Sequence, residues 1–145
     1  EVTSSHNVTI TADKILSEVS FDEAEMLILP GGIPGTPNLR ACDLLCEKLK
    51  EFAANGKKVA AVCAAPTVLG ELGILAGKKA TCYPSFADKL ATGDYVKQPV
   101  VTDSNVITSR GMGTCIEFAG AIIEALKDKA TADAVKEAII YNDVY

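Results

Sequence analysis

Two uninterrupted apolar runs, "EMLILP" at 25–30 and "KKVAAVC" at 57–63, constrain the fold more than any other feature of the sequence. Each has the length of a strand and lacks the polar alternation of a half-exposed one, so each needs cover on both faces. The chain between them can supply that cover. "TPNLRACDLLCEKLKEFAANG" (36–56) sets Leu39, Cys42, Leu45, Cys46, Leu49, Phe52 and Ala53 on one helical face, and Asn55-Gly56 ends it. The same alternation continues downstream. "AAPTVLGELG" reads as a short helix that tolerates Pro66 in its first turn, "KKATCY" (78–83) as a strand and "PSFADKLATG" as a helical turn. "PVVTDSNVITSRG" (99–111) reads as a hairpin around Asp103-Ser104-Asn105. "TCIEFAGAIIEALK" (114–127) opens on a capping box, Thr114 and Glu117, and "TADAVKEAII" (131–140) is a last helix. With "VTI" (8–10) as a short leading strand, the pattern predicts an α/β fold with a mostly parallel sheet between helices. No repeat or linker divides the chain, so residues 1–145 are expected to form a single domain.

Composition narrows the function. The net charge is −5 with no Lys/Arg stripe, which argues against a nucleic-acid partner. No apolar stretch reaches membrane-spanning length, and the N-terminus shows no signal-peptide pattern, so no membrane association is expected. Five scattered cysteines (42, 46, 63, 82 and 115) and one histidine make neither a disulfide framework nor a zinc site. They fit a reduced, cytoplasmic interior and no bound metal. "PGGIPG" and "RGMGT" both miss the dinucleotide fingerprint G-x-G-x-x-G, and no cofactor is expected.

Cys63 is the residue placed for chemistry. It ends an apolar strand and stands at the start of a helix expected over 64–72, whose free N–H groups and dipole favour thiolate over thiol. Ala64 and Ala65 leave the sulfur accessible, as in a strand–nucleophile–helix elbow. In parallel α/β sheets function collects beyond the carboxyl ends of the strands, which brings "LPGGIPG" to the same place. Its Gly-Gly pair can present backbone N–H groups unobstructed, as an oxyanion hole requires. His6 lies in the polar leader "EVTSSHN" and reads as a surface residue rather than a base for Cys63.

"LILPGG" (27–32), "VAAVCAAPTVLGELGIL" (59–75), "KKATCYP" (78–84), "ITSRGMGTCIEFAGAIIEAL" (107–126) and "ADAVKEAIIYND" (132–143), in that order, resemble the DJ-1/ThiJ/PfpI superfamily. The resemblance implies a flavodoxin-like three-layer sandwich, a homodimer and a reactive Cys63. By that likeness Gly32 and Ala64 supply the oxyanion-hole N–H groups, and Gly31, Tyr83, Pro84 and the loop beginning Ser109, Arg110, Gly111 line the pocket. The family pattern begins with a strand and helix that also carry a glutamate beside the cysteine. That unit, roughly 30 or more residues, has no counterpart here. The domain is therefore expected to be N-terminally incomplete, or completed by a separate N-terminal fragment. Tyr83-Pro84 stands where many members have His-Pro, a variant resembling the bacterial branch, and Met112 stands where Pro is common. The resemblance implies action on a small carbonyl compound, a reactive aldehyde or glycated adduct, by glyoxalase- or deglycase-like chemistry. Its alternative is a non-enzymatic oxidative-stress sensor or chaperone-like protein, in which an oxidant converts Cys63 to sulfenic and sulfinic acid. In that setting Cys82 is a candidate resolving thiol, with core packing as its simpler role.

Overall fold

The computed structural model of the chain describes residues 1–141, so Asn142 and Asp143 of the last family-like stretch lie outside the described residues. The chain opens with a small antiparallel hairpin, β1 (Val2–Thr3) and β2 (Thr9–Ile10). Next come β3 (Met26–Leu29), α1 (Gly35–Arg40), α2 (Asp43–Ala54), β4 (Lys58–Val62) and α3 (Pro66–Glu71). β5 (Lys79–Ala80) and β6 (Asp94–Tyr95) flank a 3-10 segment at Pro84–Lys89. The chain continues through β7 (Val100–Asp103), β8 (Val106–Ser109), α4 (Cys115–Leu126) and α5 (Lys129–Ala138).

The central sheet has the order β3-β4-β8-β7, with β3, β4 and β8 parallel and β7 antiparallel at one edge. Both faces of its inner strands are filled, as the apolar runs require. Leu29, Val59, Ala61 and Val106 pack against Leu45, Leu49 and Phe52 of α2 and Val68 and Leu69 of α3. On the opposite face Ala60 and Ile107 meet Phe118 of α4, with Met26, Val62 and Ile122 at the margin. This is the three-layer arrangement expected. Register sets up the site: Leu29 pairs with Ala61, and Val62 with Ser109, so β3, β4 and β8 end side by side.

Several local expectations are corrected. The helix expected over 36–56 is two helices, because Cys42 adopts an extended conformation (φ −87°, ψ 99°) and α2 starts afresh at Asp43. Asn55 does cap α2, and Gly56 follows with φ +73°. The helix expected to begin at residue 64 begins at Pro66, leaving Cys63, Ala64 and Ala65 as a turn. Only Lys79–Ala80 of the strand expected over 78–83 is regular, and it pairs with β6 in a two-stranded parallel sheet of its own. Thr114 forms no capping box with Glu117, because its Oγ1 is turned back to the preceding loop. The last helix is set two residues earlier than expected, because the Asp128 side chain accepts the Thr131 N–H at 2.7 Å. The hairpin forms as expected, around Ser104 (φ +56°) and Asn105.

The packing of α3 against the 3-10 segment depends on Gly70. A Cβ there would run into the Leu90 carbonyl oxygen and lie 2.7 Å from its carbon, and neither backbone can yield. Gly70→Ala is expected to destabilise the protein by about 2–3 kcal/mol, read as a lower urea midpoint with unchanged slope.

Candidate active site

The strand ends bring together the loop after β3, the elbow after β4 and the loop after β8. At the elbow Cys63 has φ +65°, a left-handed conformation that non-glycine residues seldom adopt and that costs on the order of 1–2 kcal/mol. The surroundings hold it there from two sides. The Cys63 N–H donates to the Ser109 carbonyl at 3.0 Å, and the Cys63 carbonyl accepts the Tyr83 N–H at 2.8 Å. The next turn is pinned as well. Thr67 donates from its N–H (3.1 Å) and its Oγ1 (2.7 Å) to the Ala64 carbonyl, and the Ala65 N–H donates to Val62 at 3.1 Å. Ala64 and Ala65 are buried, whereas Cys63 remains half-exposed. A strained residue clamped by its neighbours and left open to solvent is the geometry of a presented nucleophile.

The two glycines after β3 have different tasks. Gly31 is required for space: a Cβ there would lie 2.5 Å from Cys63 Cβ, 2.7 Å from the Val62 carbonyl oxygen and 3.2 Å from the Ala64 nitrogen. Gly32 is required for conformation, with φ +97° and open space around it. Its carbonyl accepts the Thr36 N–H at 2.8 Å, which starts α1. Neither the Gly32 nor the Ala64 N–H has a hydrogen-bond partner among the described residues. Gly31 and Gly32 also form part of the wall of a cleft of about 520 Å³, closed on its other side by Val2, Val8 and Ile10 of the leading hairpin. His6 is exposed at the tip of that hairpin, with Nδ1 3.2 Å from Ser5 Oγ.

The remaining expected pocket residues divide. Tyr83 is half-exposed beside the elbow, edge-on to Phe86 at 6.4 Å, and its ring abuts Gly111, where a Cβ would sit 3.6 Å from Cδ2. Pro84 is exposed and opens the 3-10 segment. Ser109 does not present its side chain. It is fully buried, its Oγ donates to the Pro99 carbonyl at 2.9 Å, and only its backbone carbonyl reaches the elbow. Arg110 is half-buried. Met112, for its part, stands 87% exposed. Thr114 organises this loop, taking the Gly111 N–H at 3.1 Å while its Oγ1 lies 2.7 Å from Ser109 Oγ. No sequence signal marks the parts played by Thr67, Thr114 and the Ser109 carbonyl: the two threonines bond backbone groups of Ala64 and Gly111 three residues away, and the carbonyl reaches Cys63 across the sheet. Among the described residues no three His, Cys, Asp or Glu side chains converge as metal ligands.

Cys82 lies in the core on the α3 side of the sheet, beyond the end of β5, and its Sγ donates to the Tyr83 carbonyl at 3.3 Å. Burial pushes its thiol up to about 11; the Arg110 charge works against that rise and Cys63 adds to it. At neutral pH Cys82 is a buried thiol.

The fold and the site define the class: an α/β sandwich with a cysteine on a strained strand–helix elbow, flanked by a glycine loop. The chain belongs to one family of that class: residues 1–125 match the DJ-1/PfpI family. It is 40% identical to the Arabidopsis thaliana protein DJ-1 homolog A over 93% of its own length, but spans only 35% of that protein. It is 39% identical to the Caenorhabditis elegans glutathione-independent glyoxalase DJR-1.2, over 81% of this chain and 63% of the relative. The crystal structure of Drosophila melanogaster DJ-1beta superposes with a TM-score of 0.92 at 38% identity, covering 99% of this chain and 77% of that one.

Two outcomes follow from this geometry. Gly31→Ala must displace the elbow, and is expected to change the rate at which iodoacetamide labels Cys63 by roughly tenfold or more, read by peptide mass spectrometry. Cys82 makes stability pH-dependent. An unfolded chain releases the Cys82 proton near the ordinary thiol value, while the folded chain holds it until about 11, so this contribution is complete below the lower value and is lost as pH rises through the interval. Urea titrations of wild type and Cys82→Val should show a stability difference that moves against the wild type above about pH 9. A constant difference would show that Cys82 ionises as freely folded as unfolded.

Proposed function

We propose that this protein is a cysteine-dependent enzyme acting on small reactive aldehydes, of glyoxalase type, with Cys63 as nucleophile. The observation that carries this reading is the clamped left-handed Cys63 beside two unpartnered N–H groups, on Gly32 and Ala64. The kinship with a worm relative named as a glutathione-independent glyoxalase supports it. In this mechanism the Cys63 thiolate attacks the aldehyde carbon of a 2-oxoaldehyde. A C–S bond forms, and the carbonyl π pair moves to oxygen, where the Gly32 and Ala64 N–H groups receive the charge. The hydrogen on that carbon then leaves as a proton, and a proton is returned to the neighbouring ketone carbon. The former aldehyde carbon becomes a thioester while the ketone becomes an alcohol, so no external oxidant or reductant enters. Water cleaves the thioester, releasing a 2-hydroxy acid and the free thiol. Tyr83 flanks this site and can donate a hydrogen bond from its phenol, but its ordinary pKa near ~10 makes it a poor base.

The test is conversion of methylglyoxal to lactate by the full-length protein. Cys63→Ser is expected to lower kcat/KM by at least about 100-fold, and Tyr83→Phe by roughly tenfold or less. A Cys63→Ser variant as active as wild type would remove the proposal. Absent turnover with stoichiometric, Cys63-selective oxidation by peroxide would favour the redox-sensor reading, which uses the same thiolate and the same N–H donors.

A further inference from the structure

Among the described residues, one side chain alone bonds to the backbone of the turn 63–65, and it is that of Thr67. The turn consists of two peptide units that share the Ala64 Cα. The first joins Cys63 to Ala64; its carbonyl accepts the Tyr83 N–H at 2.8 Å, and the Ala64 N–H is its other end. A planar trans unit points its N–H away from its carbonyl, so this donor is turned away from Tyr83. The nitrogen lies against the glycine loop, 3.2 Å from where a Cβ on Gly31 would stand. The second unit joins Ala64 to Ala65 and is held at both ends. The Ala65 N–H donates to the Val62 carbonyl at 3.1 Å, and the Ala64 carbonyl accepts both the Thr67 N–H at 3.1 Å and the Thr67 hydroxyl at 2.7 Å. Swinging the Ala64 N–H to a new direction means turning one unit against the other, and the second cannot turn while those bonds hold. The hydroxyl makes the shortest of them. Thr67 is only 6% exposed, so water cannot take over the bond if the hydroxyl is removed.

Resting on the carbonyl chemistry proposed above, we infer that Thr67 is a positioning residue of the Cys63 site: its hydroxyl fixes the Ala64 peptide so that the Ala64 N–H meets the oxyanion formed when the thiolate adds to the aldehyde. Thr67 acts through Ala64 and not on the substrate. A donor aimed in advance gains most when charge appears on the oxygen, and little when the neutral aldehyde binds. Loss of the hydroxyl therefore belongs in the step that makes the charge.

The test compares two reactions of the same sulfur in the full-length protein. Addition to methylglyoxal puts negative charge on a carbonyl oxygen. Alkylation by iodoacetamide forms an S–C bond and expels iodide, and no oxyanion arises. Thr67→Val keeps the shape of the side chain and removes the hydroxyl. It is expected to lower kcat for methylglyoxal by about tenfold and to leave KM within about twofold. The iodoacetamide rate at Cys63, taken at the high-pH plateau and followed by peptide mass spectrometry, should stay within about twofold of wild type, which also reports an intact elbow. Thr67→Ser should recover most of the lost kcat. An unchanged kcat in Thr67→Val overturns the inference and leaves the nucleophile standing. An equal loss of turnover and labelling also overturns it, since Thr67 would then support the whole elbow and not the donor. So does a Thr67→Ser variant no better than Thr67→Val, because the methyl group and not the hydroxyl would then matter. A wild type that is labelled at Cys63 but does not turn over methylglyoxal would remove the proposed aldehyde chemistry and this inference together.

Discussion

The site depends on one strained residue held by hydrogen bonds from both sides. Left to itself Cys63 would relax to a negative φ, and the sulfur would turn with the backbone. It does not relax because its N–H is committed to the Ser109 carbonyl and its carbonyl to the Tyr83 N–H. Those partners sit on elements fixed for other reasons: Ser109 ends β8, buried in the central sheet, and Tyr83 opens the segment that covers α3. The strain on Cys63 is therefore offset by packing remote from it. Gly31 completes the arrangement by leaving room where any side chain would strike the Cys63 Cβ.

The sheet explains why these groups meet. Parallel strands in matched register end together, and the residues that follow Leu29, Val62 and Ser109 form three loops around one opening. Each loop contributes a different physical property: φ freedom and an N–H unpartnered among the described residues at Gly32, backbone strain at Cys63, charge at Arg110. Cys82 shows the contrast. It is the same residue type near the same opening, but burial holds its proton up to about 11, and it serves as packing at neutral pH.

Much of this was legible in the sequence because it rests on local patterns. The runs 25–30 and 57–63 marked the covered strands, Asn55-Gly56 the end of α2, and Asp103-Ser104-Asn105 the hairpin. Cys63 stood out because a small-residue turn after an apolar strand has few other uses. What was not legible lies in backbone turns that no residue pattern marks. The helix breaks at Cys42 where the backbone extends, and Thr114 turns from cap to loop organiser by bonding Gly111 and Ser109, a local side-chain bond that competes with the helix cap. Ser109 was expected to line the pocket; its side chain is buried and its carbonyl meets the Cys63 N–H, and no sequence pattern tells side chain from carbonyl. Gly31 was grouped with Gly32 as a displayed N–H, although its task is to be small.

The division of labour between the two glycines also bears on how such a site can change. Positions whose task is conformational, such as Cys63 and Gly32, are tied to the fold, since altering them moves the reacting atoms. Tyr83 and Ser109 hold the elbow through backbone groups, the Tyr83 N–H and the Ser109 carbonyl. No hydrogen bond of the Cys63 clamp uses the Tyr83 phenol or the Arg110 guanidinium. The strained backbone and these side chains around it are therefore separable parts of one opening.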